Sequence, residues 1–116
     1  MELIGRTQDS GVLVLELRED SLDASNVRAF KDLAGSLIED HKYVVLDMAG
    51  VRFIDSSGLG ALIVCLRHLN SHDGDLVLCE MTQTVRALFE LMRMHRVFKI
   101  RDSREDALRA CELRHA

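Results

Sequence analysis

The sequence contains no proline and no tryptophan, and its aromatic residues are limited to one tyrosine and four phenylalanines. Clusters of Pro, Gly or Ser usually mark the linkers between domains, and none interrupts these 116 residues. We therefore predict a single domain over residues 1–116. No run approaches the ~18 consecutive apolar residues that span a bilayer, and the first residues lack a basic segment followed by an apolar one. These two absences predict a cytoplasmic protein without membrane insertion.

Charge and cysteine content narrow the function classes further. The formal net charge is -4, and the mild excess of basic residues between Arg86 and Arg101 has no aromatic interleaving for base stacking. We therefore predict no nucleic-acid partner. The cysteines Cys65, Cys79 and Cys111 form no CxxC pair and stand in apolar or helical contexts. That placement predicts reduced thiols in or near the core.

Short β-branched runs alternate with amphipathic segments along the chain. The period and the length of these runs predict strands at residues 3–7, 11–17, 43–48, 76–80 and 97–100. They predict helices at residues 23–40, 57–69, 82–95 and 104–116, with N-caps at Asp23 or Ser25, at Asp55 or Ser56, at Thr82 and at Ser103. The connections 18–22 and 49–55 are predicted loops. The first two strands are close enough for a hairpin, so the predicted fold class is α/β with a mixed sheet.

Motifs that would carry catalysis or hold a cofactor are missing. The run IDSSGLG at residues 54–60 lacks the GxSxG spacing of a serine hydrolase, and the chain has no GxxxxGK[ST] phosphate loop. None of the five histidines has a local partner pattern typical of a general base. His68 and His72 are four residues apart, but no third ligand is evident. We therefore predict no metal site, no cofactor and no enzymatic activity.

The junction IDSSGLG places two serines and two glycines where one apolar segment ends and another begins. Asp55 or Ser56 is expected to cap the helix that follows. Capping does not require both hydroxyls, and it does not explain Gly58 and Gly60, each of which costs a helix about 1 kcal/mol relative to Ala. A helix N-terminus also favours anions. The fold would therefore tolerate a phosphate on Ser56, which would add about -1.5 to -2 charges.

The run VVLDMAGVRFIDSSGLGALI resembles the signature of STAS domains, in particular that of the bacterial anti-sigma factor antagonists. SLDASNVRAFKDLAGSLIED is similar to the first helix of that family with its leading aspartate. LVLCEMTQTVRALFELMRMHRVFKIRDSREDAL is similar to the later strands and helices. The resemblance covers nearly the whole chain. It implies the STAS fold, a mixed central β-sheet with helices packed mainly on one face.

The resemblance also implies a partner switch. In that family the serine directly after the aspartate is phosphorylated by an anti-sigma factor that is also a GHKL-type serine kinase, and here that serine is Ser56. The unphosphorylated protein binds the kinase and so releases the sigma factor, phosphorylation ends the binding, and a PP2C-type phosphatase restores it. The residues implied at the partner-binding surface are Asp23, Asp55, Ser56, Ser57, Gly58 and Leu59.

Two other functions stay open at this point. A STAS domain is also compatible with a scaffold or regulatory subunit in a secretion, motility, transport or signalling complex that controls no sigma factor. The intact DSSG run favours a phosphorylation switch, because a purely structural module needs no hydroxyl there. An enzyme of another type is disfavoured, since the sequence shows no base or metal partner set.

Overall fold

A computed structural model describes the backbone of residues 1–115 and the side chains of residues 1–113. Over this range the chain forms seven strands and four α-helices. The strands are β1 (Leu3–Thr7), β2 (Leu13–Leu17), β3 (Ser21–Leu22), β4 (Tyr43–Asp47), β5 (Phe53–Ile54), β6 (Asp75–Cys79) and β7 (Lys99–Arg101). The helices are α1 (Val27–Ile38), α2 (Ser56–Asn70), α3 (Gln83–Leu91) and α4 (Arg104–His115). The last predicted helical residue, Ala116, lies outside the described residues.

Five of the strands form one mixed sheet in the order β1-β2-β4-β6-β7. The hairpin β1-β2 is antiparallel, and its connection turns at Gly11, whose φ of 92° suits glycine. The other neighbours in this sheet are parallel. Parallel neighbours need long crossovers, and the helices supply them. The predicted mixed sheet is therefore confirmed.

The two faces of the sheet bury separate sets of side chains, because successive residues of a strand point to opposite faces. On one face α1, α2 and α3 pack over the larger core, which includes Leu15, Phe30, Leu46, Leu62 and Phe89. On the other face α4 covers a smaller cluster. Its buried members are Val12, Val14, Val45, Val77, Cys79, Ala107 and Cys111. The predicted placement of the helices mainly on one face is confirmed.

Both predicted loops, 18–22 and 49–55, contain a two-residue strand. Strand β3 pairs in parallel with β5, with Ser21 opposite Phe53 and Leu22 opposite Ile54. The loop prediction was wrong at these residues, since a two-residue strand is too short to show a period in the sequence. This small ladder brings the start of α1 close to the start of α2.

Two helix boundaries also differ from the predictions. Helix α1 begins at Val27 rather than near residue 23, and Asn26 stands at its N-cap position without a side-chain cap bond. Neither Asp23 nor Ser25 is therefore the N-cap. Helix α3 ends at Leu91 rather than at residue 95, because Arg93 adopts a left-handed φ of 59° and a 3-10 turn follows at Met94–Arg96.

The remaining predicted caps are confirmed. Asp55 accepts a hydrogen bond from the backbone N–H of Gly58 at the start of α2. The Thr82 hydroxyl accepts one from the N–H of Val85 at 3.2 Å, and the Ser103 hydroxyl accepts one from the N–H of Asp106 at 3.0 Å. Small polar residues before an apolar period thus located three of the four helix starts.

All three cysteines are buried, as the sequence predicts, and none of the three forms a disulfide. Burial raises the pKa of Cys65 to about 11. Burial, with the Asp47 carboxylate as the next cause, raises the pKa of Cys79 to about 12. A thiol with such a pKa is almost entirely protonated at neutral pH, so both residues act as apolar core side chains.

This burial predicts slow thiol chemistry in the folded protein. At pH 8 iodoacetamide is expected to alkylate Cys65 about a hundredfold and Cys79 about a thousandfold more slowly than it alkylates an unshifted thiol, because the thiolate fraction falls as the pKa rises. Peptide mass spectrometry over time measures the rates. The same reaction in guanidinium chloride is the control, and equal rates in the two conditions would contradict the burial.

Candidate functional site

The ladder between β3 and β5 joins two segments that are about 30 residues apart in the sequence. The Arg52 N–H donates to the Asp20 carbonyl at 2.7 Å, and the Asp55 N–H donates to the Leu22 carbonyl at 3.3 Å. Because β3 and β5 are parallel, Asp23 and Asp55 follow them at the same end of the ladder. The structure thereby brings together the two aspartates that the resemblance implied for one surface.

The Asp55 carboxylate accepts hydrogen bonds from both segments, the start of α2 and the connection to α1. Its Oδ1 accepts from the Gly58 N–H at 2.9 Å, which caps α2. Its Oδ2 accepts from the Ala24 N–H at 3.1 Å, in the connection that leads to α1. The choice between Asp55 and Ser56 as the cap is thereby decided in favour of Asp55. The two serine hydroxyls are not needed for capping.

Ser56 and Ser57 are the first two residues of α2, and both are exposed. Neither hydroxyl has a hydrogen-bond partner among the residues that the structure describes, and the same holds for their backbone N–H groups. The next two N–H groups are used, since those of Gly58 and Leu59 donate to Asp55. The N-terminus of α2 therefore offers two exposed hydroxyls beside two N–H groups that can stabilise an anion.

Asp23 organises the connection between β3 and α1. Its side chain accepts from the Ser21 hydroxyl at 3.0 Å and from the Ser25 N–H at 3.0 Å, and also from the Ser25 hydroxyl. Its carbonyl accepts from the Val27 N–H at 2.9 Å. The Ser25 hydroxyl, followed by the Ser21 hydroxyl, lowers the pKa of Asp23 below its ordinary value of 3.8. The charged carboxylate therefore stabilises this loop fully at pH values above 3.8. This stabilisation is lost as the pH falls through the lowered pKa.

The two glycines in the first turns of α2 differ in their surroundings. A Cβ added to Gly58 would overlap the Leu22 carbonyl oxygen and would lie 2.9 Å from the carbonyl carbon and 3.0 Å from Ile54 Cγ1. A Cβ added to Gly60 would have no neighbour within 4 Å. The absence of a side chain at Gly58, which capping does not explain, is therefore required by an internal contact. Packing does not explain Gly60.

Leu59 lies below this surface, with only 8% of its area exposed. It belongs to the larger core. A contact between Leu59 and a partner stays a prediction, but its burial means that truncation acts first through lost packing.

Sequence reasoning missed four parts of this site. Ser21, Ser25 and Asn26 build the turn around Asp23, with the Asn26 side chain accepting from the Asp23 N–H and donating to the Ser21 carbonyl. The run SLDASN carries the signal, since Asp, Ser and Asn readily bond the nearby backbone. Phe53, three residues before Ser56, is 51% exposed. An exposed aromatic side chain in a two-residue strand had no periodic signal.

The double role of Asp55 leads to a stability prediction. Asp55→Ala is expected to lower the free energy of unfolding by about 1–2 kcal/mol, because it removes the cap and the bond to Ala24 together. Asp55→Asn keeps one oxygen for capping but turns an amide NH₂ towards the Ala24 N–H, so it should lose about half as much, roughly 0.5–1 kcal/mol. Urea unfolding followed by circular dichroism measures both. Equal losses for the two variants would show that charge, rather than capping, accounts for the effect.

The described part of the chain contains neither a metal-binding cluster nor a membrane-spanning helix. No group of three or more His, Cys, Asp or Glu side chains within residues 1–113 is arranged to hold a metal ion. The rings of His68 and His72 lie 4.8 Å apart, without a third potential ligand in that part of the chain. Over the same described range, none of the helices has both the length and the apolar character needed to cross a membrane.

Comparison with known proteins supports the resemblance found in the sequence. The family model described as STAS domain matches residues 4–107. A Bordetella bronchiseptica protein described as an anti-sigma factor antagonist, BtrV, is 33% identical over 91 residues, which are 78% of this chain and 77% of that protein.

Two solved structures show the same fold. An anti-sigma factor antagonist from Mycobacterium paratuberculosis superposes with a TM-score of 0.85 at 22% identity, over 95% of this chain and 92% of that one. The Bacillus cell fate determinant SpoIIAA, solved in its phosphorylated form, superposes with a TM-score of 0.69 at 19% identity, over 94% and 98% of the two chains. At these identities the two superpositions bear on the fold alone.

Proposed function

The chain belongs to the STAS domain family and, by homology, to its anti-sigma factor antagonists, and from that premise we propose that it is a phosphorylation-controlled binding module. Its unphosphorylated form binds a GHKL-type anti-sigma factor that is also a serine kinase, and this binding releases the sigma factor. Phosphorylation of Ser56 ends the binding, and a PP2C-type phosphatase restores it. The protein is thus a substrate and a ligand of enzymes rather than an enzyme itself. Because the kinase requires ATP, the two proteins interact in the cytoplasm under this proposal.

One observation carries this proposal: the Ser56 hydroxyl is exposed and has no hydrogen-bond partner within residues 1–113, because Asp55 already caps α2. A serine that capped the helix would have its hydroxyl oxygen engaged in a hydrogen bond and poorly accessible to a kinase. Here the acceptor oxygen stands at the first residue of a helix whose start is held by another side chain. The hydroxyl can be modified without removing an interaction that the fold needs.

The transfer itself requires only this oxygen from the protein. Ser56 Oγ attacks the γ-phosphorus of ATP, the Oγ–P bond forms, and the bond from that phosphorus to the bridging oxygen of ADP breaks. The serine proton leaves to a base of the kinase. The product carries about -1.5 to -2 charges at neutral pH.

The N-terminus of α2 accommodates this charge, whereas a docked partner does not. The N–H groups of Ser56 and Ser57 and the positive end of the helix dipole stabilise a phosphate. Asp55 is adjacent in sequence, so the phosphate raises the local negative charge. A partner that covers this surface must strip water from that charge, which weakens the complex while the fold remains intact.

The test is a phosphorylation assay with the purified protein, ATP, magnesium and the GHKL-type kinase encoded nearest to it. Intact mass should show one added phosphate, and peptide mass spectrometry should place it on Ser56. Calorimetry before and after the reaction should show binding of the kinase only to the unmodified protein. Unchanged affinity after full phosphorylation would overturn the switch.

The same assay distinguishes the alternative function. Binding that persists without any phosphate transfer would identify a constitutive STAS scaffold, in which Ser56 and Ser57 are only exposed surface residues. Phosphate on Ser57 instead of Ser56 would keep the switch and overturn the residue assignment.

A further inference from the structure

Positive charge is concentrated in one segment of a chain that is negative as a whole. Residues 86–101 contain five Lys or Arg residues and a single acidic residue, Glu90, whereas the rest of the chain contains ten Lys or Arg residues and 18 acidic ones. This segment includes most of α3, the 3-10 turn and strand β7. It includes none of the six residues implied at the partner-binding surface around Ser56 (the Ser56 surface).

The fold gathers this segment around an open cleft of about 480 Å³ at one edge of the main sheet. Strand β7 is the last strand of that sheet, so the cleft runs beside an edge strand. The charged residues in its lining are Arg86, Glu90, Arg96, Lys99 and Arg101, and His95 lies among them. Apolar area accompanies them, because Val97 is 48% exposed and Ile100 is half-buried.

Two of these cations are already paired, and two are not. Arg86 binds Asp102 at 2.6 Å, and Lys99 binds Asp75 at 2.9 Å. Arg96 and Arg101 form no ion pair with any residue whose side chain the structure describes. The cleft therefore has a positive charge that this described part of the chain does not neutralise, and an acidic ligand would complement it.

The backbone of β7 adds a directional feature to this charge. On one side β7 pairs with β6, with Val77 opposite Lys99 and Cys79 opposite Arg101. Its other side has no strand neighbour in the described part of the chain. The Ile100 carbonyl accepts a hydrogen bond from the Arg101 guanidinium at 3.1 Å. An edge of this kind can pair with an extended segment of another chain.

We propose that the cleft beside β7 is a second docking surface, which takes an acidic, extended segment of a partner protein as an added strand. Backbone groups of the segment pair with β7, and its carboxylates bind Arg96 and Arg101. The proposal does not depend on Ser56. Basic side chains at a sheet edge also serve to prevent aggregation, so the test must distinguish specific strand addition from a charged edge that binds nothing.

The test uses a labelled eight-residue peptide of alternating Glu and Thr with the full-length protein. Fluorescence anisotropy measures affinity, and ¹H–¹⁵N spectra locate the bound peptide through the amide shifts of Lys99–Arg101. We expect binding that weakens about tenfold when Gln replaces Glu in the peptide, and about tenfold in the Arg96→Gln/Arg101→Gln double variant. A peptide with alternate N-methylated amides, which cannot pair as a strand, should not bind.

The control is Arg6→Gln in β1, the strand at the opposite edge of the same sheet, which removes one positive charge where the double variant removes two. It should keep the affinity within about twofold, the range of one exposed charge. Equal losses for the control and the double variant would overturn the proposal. So would equal binding of the N-methylated peptide, tighter binding of ATP or duplex DNA to the same amides, or no binding of the acidic peptide at millimolar concentration.

Discussion

Ser56→Ala is expected to abolish phosphate incorporation by the cognate kinase, whereas Ser57→Ala should be phosphorylated like the unaltered protein. The two serines are neighbours, both exposed, and neither hydroxyl is bonded within the described residues. This pair therefore isolates the acceptor position without a difference in packing. Intact mass after complete reaction measures the effect. Phosphate on Ser57 in the Ser56→Ala protein would contradict the assignment.

Substitutions of Ser56 should affect kinase binding differently from phosphorylation. Ser56→Ala is expected to bind the kinase with the affinity of the unmodified protein, because no hydrogen bond of the fold is lost. Ser56→Asp should bind at least about tenfold more weakly, since it adds charge beside Asp55, although one carboxylate imitates a phosphate dianion poorly. Calorimetry measures both affinities. Unchanged affinity of Ser56→Asp would argue that Ser56 lies outside the interface.

Gly58→Ala is expected to lower the free energy of unfolding by about 2–3 kcal/mol, which corresponds to roughly 10 °C in Tm for a chain of this size. The added Cβ would overlap the Leu22 carbonyl oxygen, a backbone atom that can move only if the β3–β5 ladder moves. The better helix propensity of Ala offsets at most about 1 kcal/mol of this cost. Thermal unfolding followed by circular dichroism measures the change.

Gly60→Ala is the matched control, two residues later in the same helix. Its Cβ would meet no atom of the described residues within 4 Å outside the adjoining backbone of α2, so the helix gains Ala propensity without a steric cost, and stability should rise by about 0.5–1 kcal/mol. A loss at both positions would show that the helix start, rather than the contact with Leu22, is sensitive to substitution. If Gly60→Ala is more stable but binds the kinase more weakly, the partner approaches the α2 backbone there.

Gly58 also links stability to the site. The contact with the Leu22 carbonyl seats the first turn of α2 against β3, and this places Asp55 where its second oxygen reaches the Ala24 N–H. A variant that displaces the turn should therefore disturb the Ser56 surface before the main sheet unfolds. Amide shifts of Ala24 and Ser57 in Gly58→Ala would report that displacement.

Local chemistry made most of the architecture predictable. The apolar period identified the five strands of the main sheet and the four helices, and small polar residues located the caps at Asp55, Thr82 and Ser103. These signals depend on residues within about four positions of one another, which is the range that one helical turn or one strand pair samples. The buried cysteines follow in the same way from their apolar neighbours.

The helix boundaries show where local chemistry misleads. Asp23 has the composition of an N-cap, yet its side chain is used by Ser21 and Ser25, and α1 begins four residues later. The sequence run through residue 95 continues a helical period, but the left-handed conformation of Arg93 ends α3. In both places the same residues are compatible with two local structures, and local propensity does not select between them.

The sequence by itself determined the order of the four helices and of the five strands of the main sheet, the caps at Thr82 and Ser103, and the DSSG run that points to Ser56. Only the tertiary structure decided that Asp55 rather than Ser56 caps α2, that its second oxygen fastens the Ala24 segment, and that Gly58 but not Gly60 is required by contact. Only the tertiary structure shows that residues of the basic segment 86–101 line a cleft beside an edge strand. The reason is distance along the chain, since the β3–β5 ladder joins residues about 30 positions apart and leaves no period in either segment.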